Sequence, residues 1–79
     1  MAYTMQAEYT DTFGGEANYS WVRRATVEIP DNASKSQVSR LIKRSLAING
    51  LRGRVYDSGD FWEFRPYGMC TVAFANVQY

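Results

Sequence analysis

Only one stretch of this chain repeats its apolar residues at helical spacing. The other apolar stretches alternate with a period of two, and that contrast constrains the fold more than anything else in the sequence. In residues 3–9, Tyr3, Met5, Ala7 and Tyr9 share one face and Thr4, Gln6 and Glu8 the other, which is the pattern of a half-buried strand. Residues 11–16 read as a loop around Gly14-Gly15, because paired glycines supply the backbone freedom of a reversal. A second alternating run spans residues 17–29. Tyr19, Trp21, Ala25, Val27 and Ile29 share its face, with Arg23 out of place. Either Arg23 snorkels at the sheet edge or a bulge resets the phase there.

The helical stretch follows Pro30. Ser34-Lys35-Ser36-Gln37 is a capping box, in which the serine hydroxyl accepts from the backbone of Gln37 and the glutamine reaches back. The helix is expected over residues 35–49, with Val38, Leu41, Ile42, Ser45, Leu46 and Asn49 on one face and Ile48 at its border. Gly50 suits the left-handed position that ends a helix.

Beyond it the period returns to two. Leu51, Gly53 and Val55 share one face, and Arg52, Arg54 and Tyr56 the other. Asp57-Ser58-Gly59-Asp60 reads as a tight hairpin turn. A two-residue loop at Ser58-Gly59 sets Val55 against Trp62, Gly53 against Phe64 and Arg54 against Glu63. A turn at residues 65–68 leads into a last strand on which Cys70, Val72 and Phe74 alternate. The expected fold is α+β with the order ββαβββ: an antiparallel sheet with one amphipathic helix packed on one face.

With 79 residues the chain is read as one domain, residues 1–79. Such a chain buries only about 60% of its unfolded surface, so its two Trp, six Tyr and four Phe must supply much of the core. Histidine is absent, which removes the usual general base and the commonest transition-metal ligand. Cys70 is the single cysteine. It has no disulfide or thiolate-metal companion, and its alternating strand predicts a buried, inert thiol. Asp57 and Asp60 read as turn formers rather than as an acid–base pair. Gly14-Gly15 lacks the following helix and Lys-Ser/Thr of a phosphate loop. The expectation is a protein that is not an enzyme, takes no cofactor and acts by binding. No apolar run approaches the ~20 residues that span a bilayer, and the first residues, from Met1, lack the basic and apolar regions of a signal peptide. A cytoplasmic location is expected, with no membrane partner.

The charges are segregated although the net charge is only +1. Between residues 32 and 56 stand Lys35, Arg40, Lys43, Arg44, Arg52 and Arg54, with no acid. Arg40, Lys43 and Arg44 lie opposite the apolar helix face, within about a third of a turn, bordered by Ser36, Ser39 and Ala47. This stripe is either a solvated face or a docking surface for a polyanion or an acidic protein. Arg52, Arg54 and Tyr56, near Phe61, add a basic–aromatic patch of the kind that stacks single-stranded bases. Phe13, beside two glycines, is either an exposed contact or a plug folded onto the core.

The segment YTDTFGGEANYSWVRR (residues 9–24) resembles one found in short uncharacterised proteins of bacteriophages and other mobile elements, and the tail GMCTVAF (residues 68–74) is similar to theirs. No functional residue comes with that resemblance. By size and source it implies a phage accessory protein in the cytoplasm of a bacterial host, an inhibitor of host defence in the manner of anti-CRISPR proteins. Its partner would be a host protein complex, a CRISPR effector among the candidates, with Arg40, Lys43, Arg44, Lys35, Arg52, Arg54 and Phe13 as contacts. The alternatives are a nucleic-acid-binding accessory protein using the basic helix face, and a homodimer pairing the stripe of one copy with acidic loops of another.

Overall fold

A computed structural model describes residues 2–78; Met1 and Tyr79 lie outside the described residues. The elements are β1 (Tyr3–Phe13), β2 (Glu16–Ile29), α1 (Lys35–Ser45), β3 (Gly53–Asp57), β4 (Phe61–Pro66) and β5 (Thr71–Gln78). They form the expected α+β fold, one antiparallel sheet ordered β2-β1-β5-β4-β3 with a single helix. The chain therefore passes from one sheet edge, β2, to the opposite edge, β3, and α1 is the crossing.

The register explains where the helix sits. Ala25, Ala7 and Ala75 lie side by side across β2, β1 and β5, and Tyr9 lies beside Ala73. These small side chains of the central strands share one core with α1, and Trp62 and Phe64 on β4 supply its bulk. Val38, Ile42, Leu46 and Ile48 complete this core with Met5, Val27 and Ile29. The Trp62 and Phe64 rings stack at 6.0 Å. The buried Trp62 indole donates to the Ser39 hydroxyl at 2.8 Å, so its one polar group is satisfied.

The capping box forms as the sequence requires: Gln37 N donates to Ser34 Oγ at 3.2 Å and Ser34 N donates to the Gln37 side chain at 2.8 Å. The helix ends earlier than its periodicity suggests, with Leu46 as cap rather than at Asn49–Gly50. Ala47 takes the left-handed conformation, at φ 59°, and Gly50 does not. Ile48 N bonds Lys43 O at 2.8 Å and Ala47 N bonds Arg44 O at 3.0 Å, the pair of bonds that closes a Schellman motif. Ile48, two residues past the cap, is buried in the core.

The first hairpin also differs from the reading as a loop over residues 11–16. Strand β1 continues to Phe13, and only Gly14 and Gly15, both at positive φ, form the turn. Thr10 pairs with Val22 but Thr12 with Ala17, so residues 18–21 of β2 bulge opposite Asp11 alone. Asp11 organises the bulge: its carboxylate accepts from Ser20 N at 3.0 Å, Ser20 Oγ at 2.5 Å and Asn18 Nδ2 at 3.0 Å. The side chain of Thr10 donates to Trp21 O at 2.7 Å and accepts from Tyr19 N at 3.2 Å. Tyr19, at φ 57°, is thrown onto the face away from the helix, where it meets Phe74, while Trp21 stays against Tyr9. The phase change thus occurs at residues 18–21 and not at Arg23. Arg23 is in phase, beside Tyr9, and reaches the helix end.

The second hairpin keeps the expected faces but shifts by two residues. Val55 stands opposite Phe64, Arg54 opposite Arg65, Tyr56 opposite Glu63 and Gly53 opposite Pro66. The reversal keeps two residues but moves one position along, to Gly59-Asp60: Ser58 N bonds Phe61 O at 3.0 Å and closes the ladder, while Gly59 N bonds the Asp57 carboxylate at 2.9 Å. The expected Arg54–Glu63 pair is therefore not made, and Glu63 pairs with Arg65 at 2.9 Å.

On β5, Ala73 and Ala75 face the helix. Val72 and Phe74 line the opposite face, the reverse of what their size suggests. Cys70 precedes the strand and is exposed, not buried. Among the described residues no helix is long and apolar enough to cross a membrane.

Candidate functional site

The helix does not reach over β3. Val55, on the helix side of the sheet, is left 47% exposed as a result. The step between α1 and β3 is a groove of about 730 Å³ lined by Lys35, Ser36, Ser39, Arg40, Lys43, Asn49, Val55 and Asp57. Its wall is the polar face of α1, and its floor is the helix side of β3.

Of the basic stripe, Lys35, Arg40 and Lys43 are turned into this groove, and Arg44 is exposed outside it. Lys43 is half-buried: its Nζ donates to Leu51 O at 2.7 Å and lies 4.5 Å from the centre of the Phe64 ring. Lys35 Nζ donates to Asp57 O at 3.3 Å. Each of these lysines therefore has a backbone carbonyl as partner and, among the described residues, no carboxylate. Arg40 is exposed and has no ion pair among the described residues. The one acid of the groove, Asp57, is committed to Gly59 N. Serine hydroxyls and three cations around an apolar floor suit a partner that brings acceptor groups and negative charge.

The other expected contacts lie elsewhere. Arg52 is exposed just before β3. Arg54 is on the face away from the helix, opposite Arg65. There Tyr56 and Phe61 meet at 6.5 Å between centroids, so the basic–aromatic patch exists, although Tyr56 pairs across the ladder with Glu63. That face is largely neutralised by the Arg24–Glu8 and Arg65–Glu63 pairs, at 2.6 and 2.9 Å. Tyr19 donates to Glu8 at 3.2 Å; desolvation first, then the Glu8 charge, raises the phenol pKa above its ordinary value. Phe13 is 81% exposed at the hairpin tip and is not a core plug. Arg65 Nη1 donates to Gly15 O at 2.9 Å, holding that tip over a hollow of about 290 Å³ between Ala17, Phe61, Val72 and Phe74.

No protein-family model, curated protein or solved structure matches the chain. The assignment of a site therefore rests on geometry.

Sequence periodicity does not bring out Val55 and Asn49 as groove residues. The available signal was Val55 itself, an apolar residue on a short strand that the expected helix, only a few turns long, has to leave uncovered. Among the described residues no group of three metal-ligating side chains is assembled.

Proposed function

We propose that this chain is a binding protein that holds an acidic partner in the groove between α1 and β3. One observation carries the reading: Lys35, Arg40 and Lys43 converge on a single groove in which none of them is paired with a carboxylate of the described residues. Cations left without counter-charge on a packed scaffold favour an anionic partner and speed its approach. The resemblance of residues 9–24 to phage and mobile-element proteins supports a specific form of this reading. The protein would occupy an acidic surface of a host defence complex, a CRISPR effector among the candidates, and inhibit by occupancy. Arg40→Glu tests it, because Arg40 is exposed and makes no side-chain hydrogen bond or ion pair among the described residues. The altered protein is expected to fold normally, to lose capture of its partner from the host, and to lose protection of a phage in a plaquing assay. Full retention of both activities would refute the groove as the working surface.

A second reading is favoured by the patch of Arg54, Tyr56 and Phe61 on the opposite face, where an exposed tyrosine and a guanidinium adjoin. It predicts binding of single-stranded nucleic acid that weakens steeply with salt and with Tyr56→Ala. An electrophoretic shift absent at low salt removes it.

A further inference from the structure

We propose that the partner enters the groove as an extended strand added to the free edge of β3, with acidic side chains at alternate positions turned toward α1. The inference rests on the groove reading above and specifies how the partner is held.

Strand β3 ends the sheet, so one side of its backbone has no neighbouring strand. The register shows which groups face out. Gly53 stands opposite Pro66, which has no N–H, so this pair exchanges no hydrogen bonds and Gly53 turns its N–H and C=O away from β4. The flanking bonds agree: Tyr67 N reaches Arg52 O at 2.9 Å and Ser58 N reaches Phe61 O at 3.0 Å, so even positions face β4. Leu51, Gly53, Val55 and Asp57 therefore present the outer edge. Its two ends are occupied, since Lys43 holds Leu51 O and Lys35 holds Asp57 O. The edge groups of Gly53 and Val55 lie between them.

Folded proteins usually blunt such an edge with a proline, a bulge or a covering element. Strand β2, at the other edge, has its bulge over residues 18–21. The pairing of β3 is regular and its sequence, Gly-Arg-Val-Tyr-Asp, contains no proline. A strand laid beside Gly53 and Val55 would have every second side chain on the helix side of the sheet, below Lys35, Arg40 and Lys43. Glutamate or aspartate at those positions would supply the charge that the groove lacks, while the main chain supplies the bonds. The same charges disfavour a second copy: pairing β3 with itself brings the cations of two grooves, and Arg54 of both chains, into one interface.

The test uses the full chain and three probes. They are a short peptide of alternating valine and glutamate, the same peptide N-methylated at alternate residues, and a single-stranded oligonucleotide. The unmodified peptide is expected to bind and to protect the Gly53 and Val55 amides from hydrogen exchange. The N-methylated peptide carries equal charge but cannot extend the sheet, and is expected to bind roughly tenfold or more weakly. Val55→Pro removes an outward N–H that β4 does not use, so the fold should survive while peptide binding falls likewise. Equal binding of the two peptides, both lost with Arg40→Glu, overturns strand addition and leaves the groove reading standing. If neither peptide binds and Arg40→Glu leaves partner capture intact, both ideas fall. Tighter binding of the oligonucleotide than of the peptide at the same amides overturns the partner class. So does amide protection that rises with protein concentration alone, which would place a second copy on the edge.

Discussion

Arg23 Nη1 donates to the main-chain oxygen of Leu46 at 2.6 Å, tying edge strand β2 to the end of the helix. The guanidinium also lies 5.8 Å from the centre of the Tyr9 ring. A cation at the carbonyl end of a helix meets the negative end of its dipole, and a charged donor strengthens the bond. Arg23→Met keeps the aliphatic stem and removes the donor. It is expected to lower stability by about 1 kcal/mol, read from the urea midpoint. Arg23→Lys should recover part of the loss; equal loss in both variants would show that the planar fork is required.

Asp11 is expected to make the β2 bulge sensitive to acid. Its hydrogen bond from the Ser20 side chain, then that from Asn18, lowers the carboxyl pKa from 3.8 to about 2. The folded value is depressed, so the carboxylate contributes stability that is complete above the unfolded value and is lost as the pH falls through the folded one. Between pH 3.8 and about 2 the bulge should loosen. Faster hydrogen exchange at Ser20 is the measurement. Asp11→Asn should remove that pH dependence, and an unchanged acid profile would assign it to another group.

Ala47 occupies a position that suits glycine. At φ 59° its Cβ crowds the backbone, although the Schellman bonds around it are intact. Ala47→Gly is expected to raise stability by about 1 kcal/mol by relieving that conformation. Thermal and urea unfolding should both report the increase.

Gly53 is required by a close approach. A Cβ placed there would come within 2.2 Å of Arg65 O and 2.7 Å of Pro66 Cα, both backbone atoms that cannot turn aside. Gly53→Ala is expected to cost about 2–3 kcal/mol or to unpair the β3–β4 hairpin. Loss of protection confined to the amides of β3 and β4 would distinguish local opening from global unfolding.

The groove was half visible before the fold was known. The acid-free run from Lys35 to Arg54 and the placement of Arg40 on the polar helix face were both sequence facts. That Lys43 bends over Phe64 was not, because a long side chain covers apolar surface wherever a neighbour leaves it open. Nor could the run distinguish Arg44, which stays outside the groove, from Arg40, which lines it.

By itself the sequence determined the kinds of element and their order, because periods of two and of three to four, the Ser34–Gln37 box and the Gly14-Gly15 turn act over a few neighbouring residues. Tertiary structure decided register and facing. The Asp57 and Ser58 bonds moved the reversal one residue along and set Arg54 opposite Arg65 instead of Glu63. Asp11 bulged β2 and turned Tyr19 over. Strand β5 put Ala73 and Ala75 rather than Val72 and Phe74 against the helix. Either face of β5 alternates well enough to be a core face, and only the volume already filled by Trp62, Phe64 and α1 selects the one with small side chains.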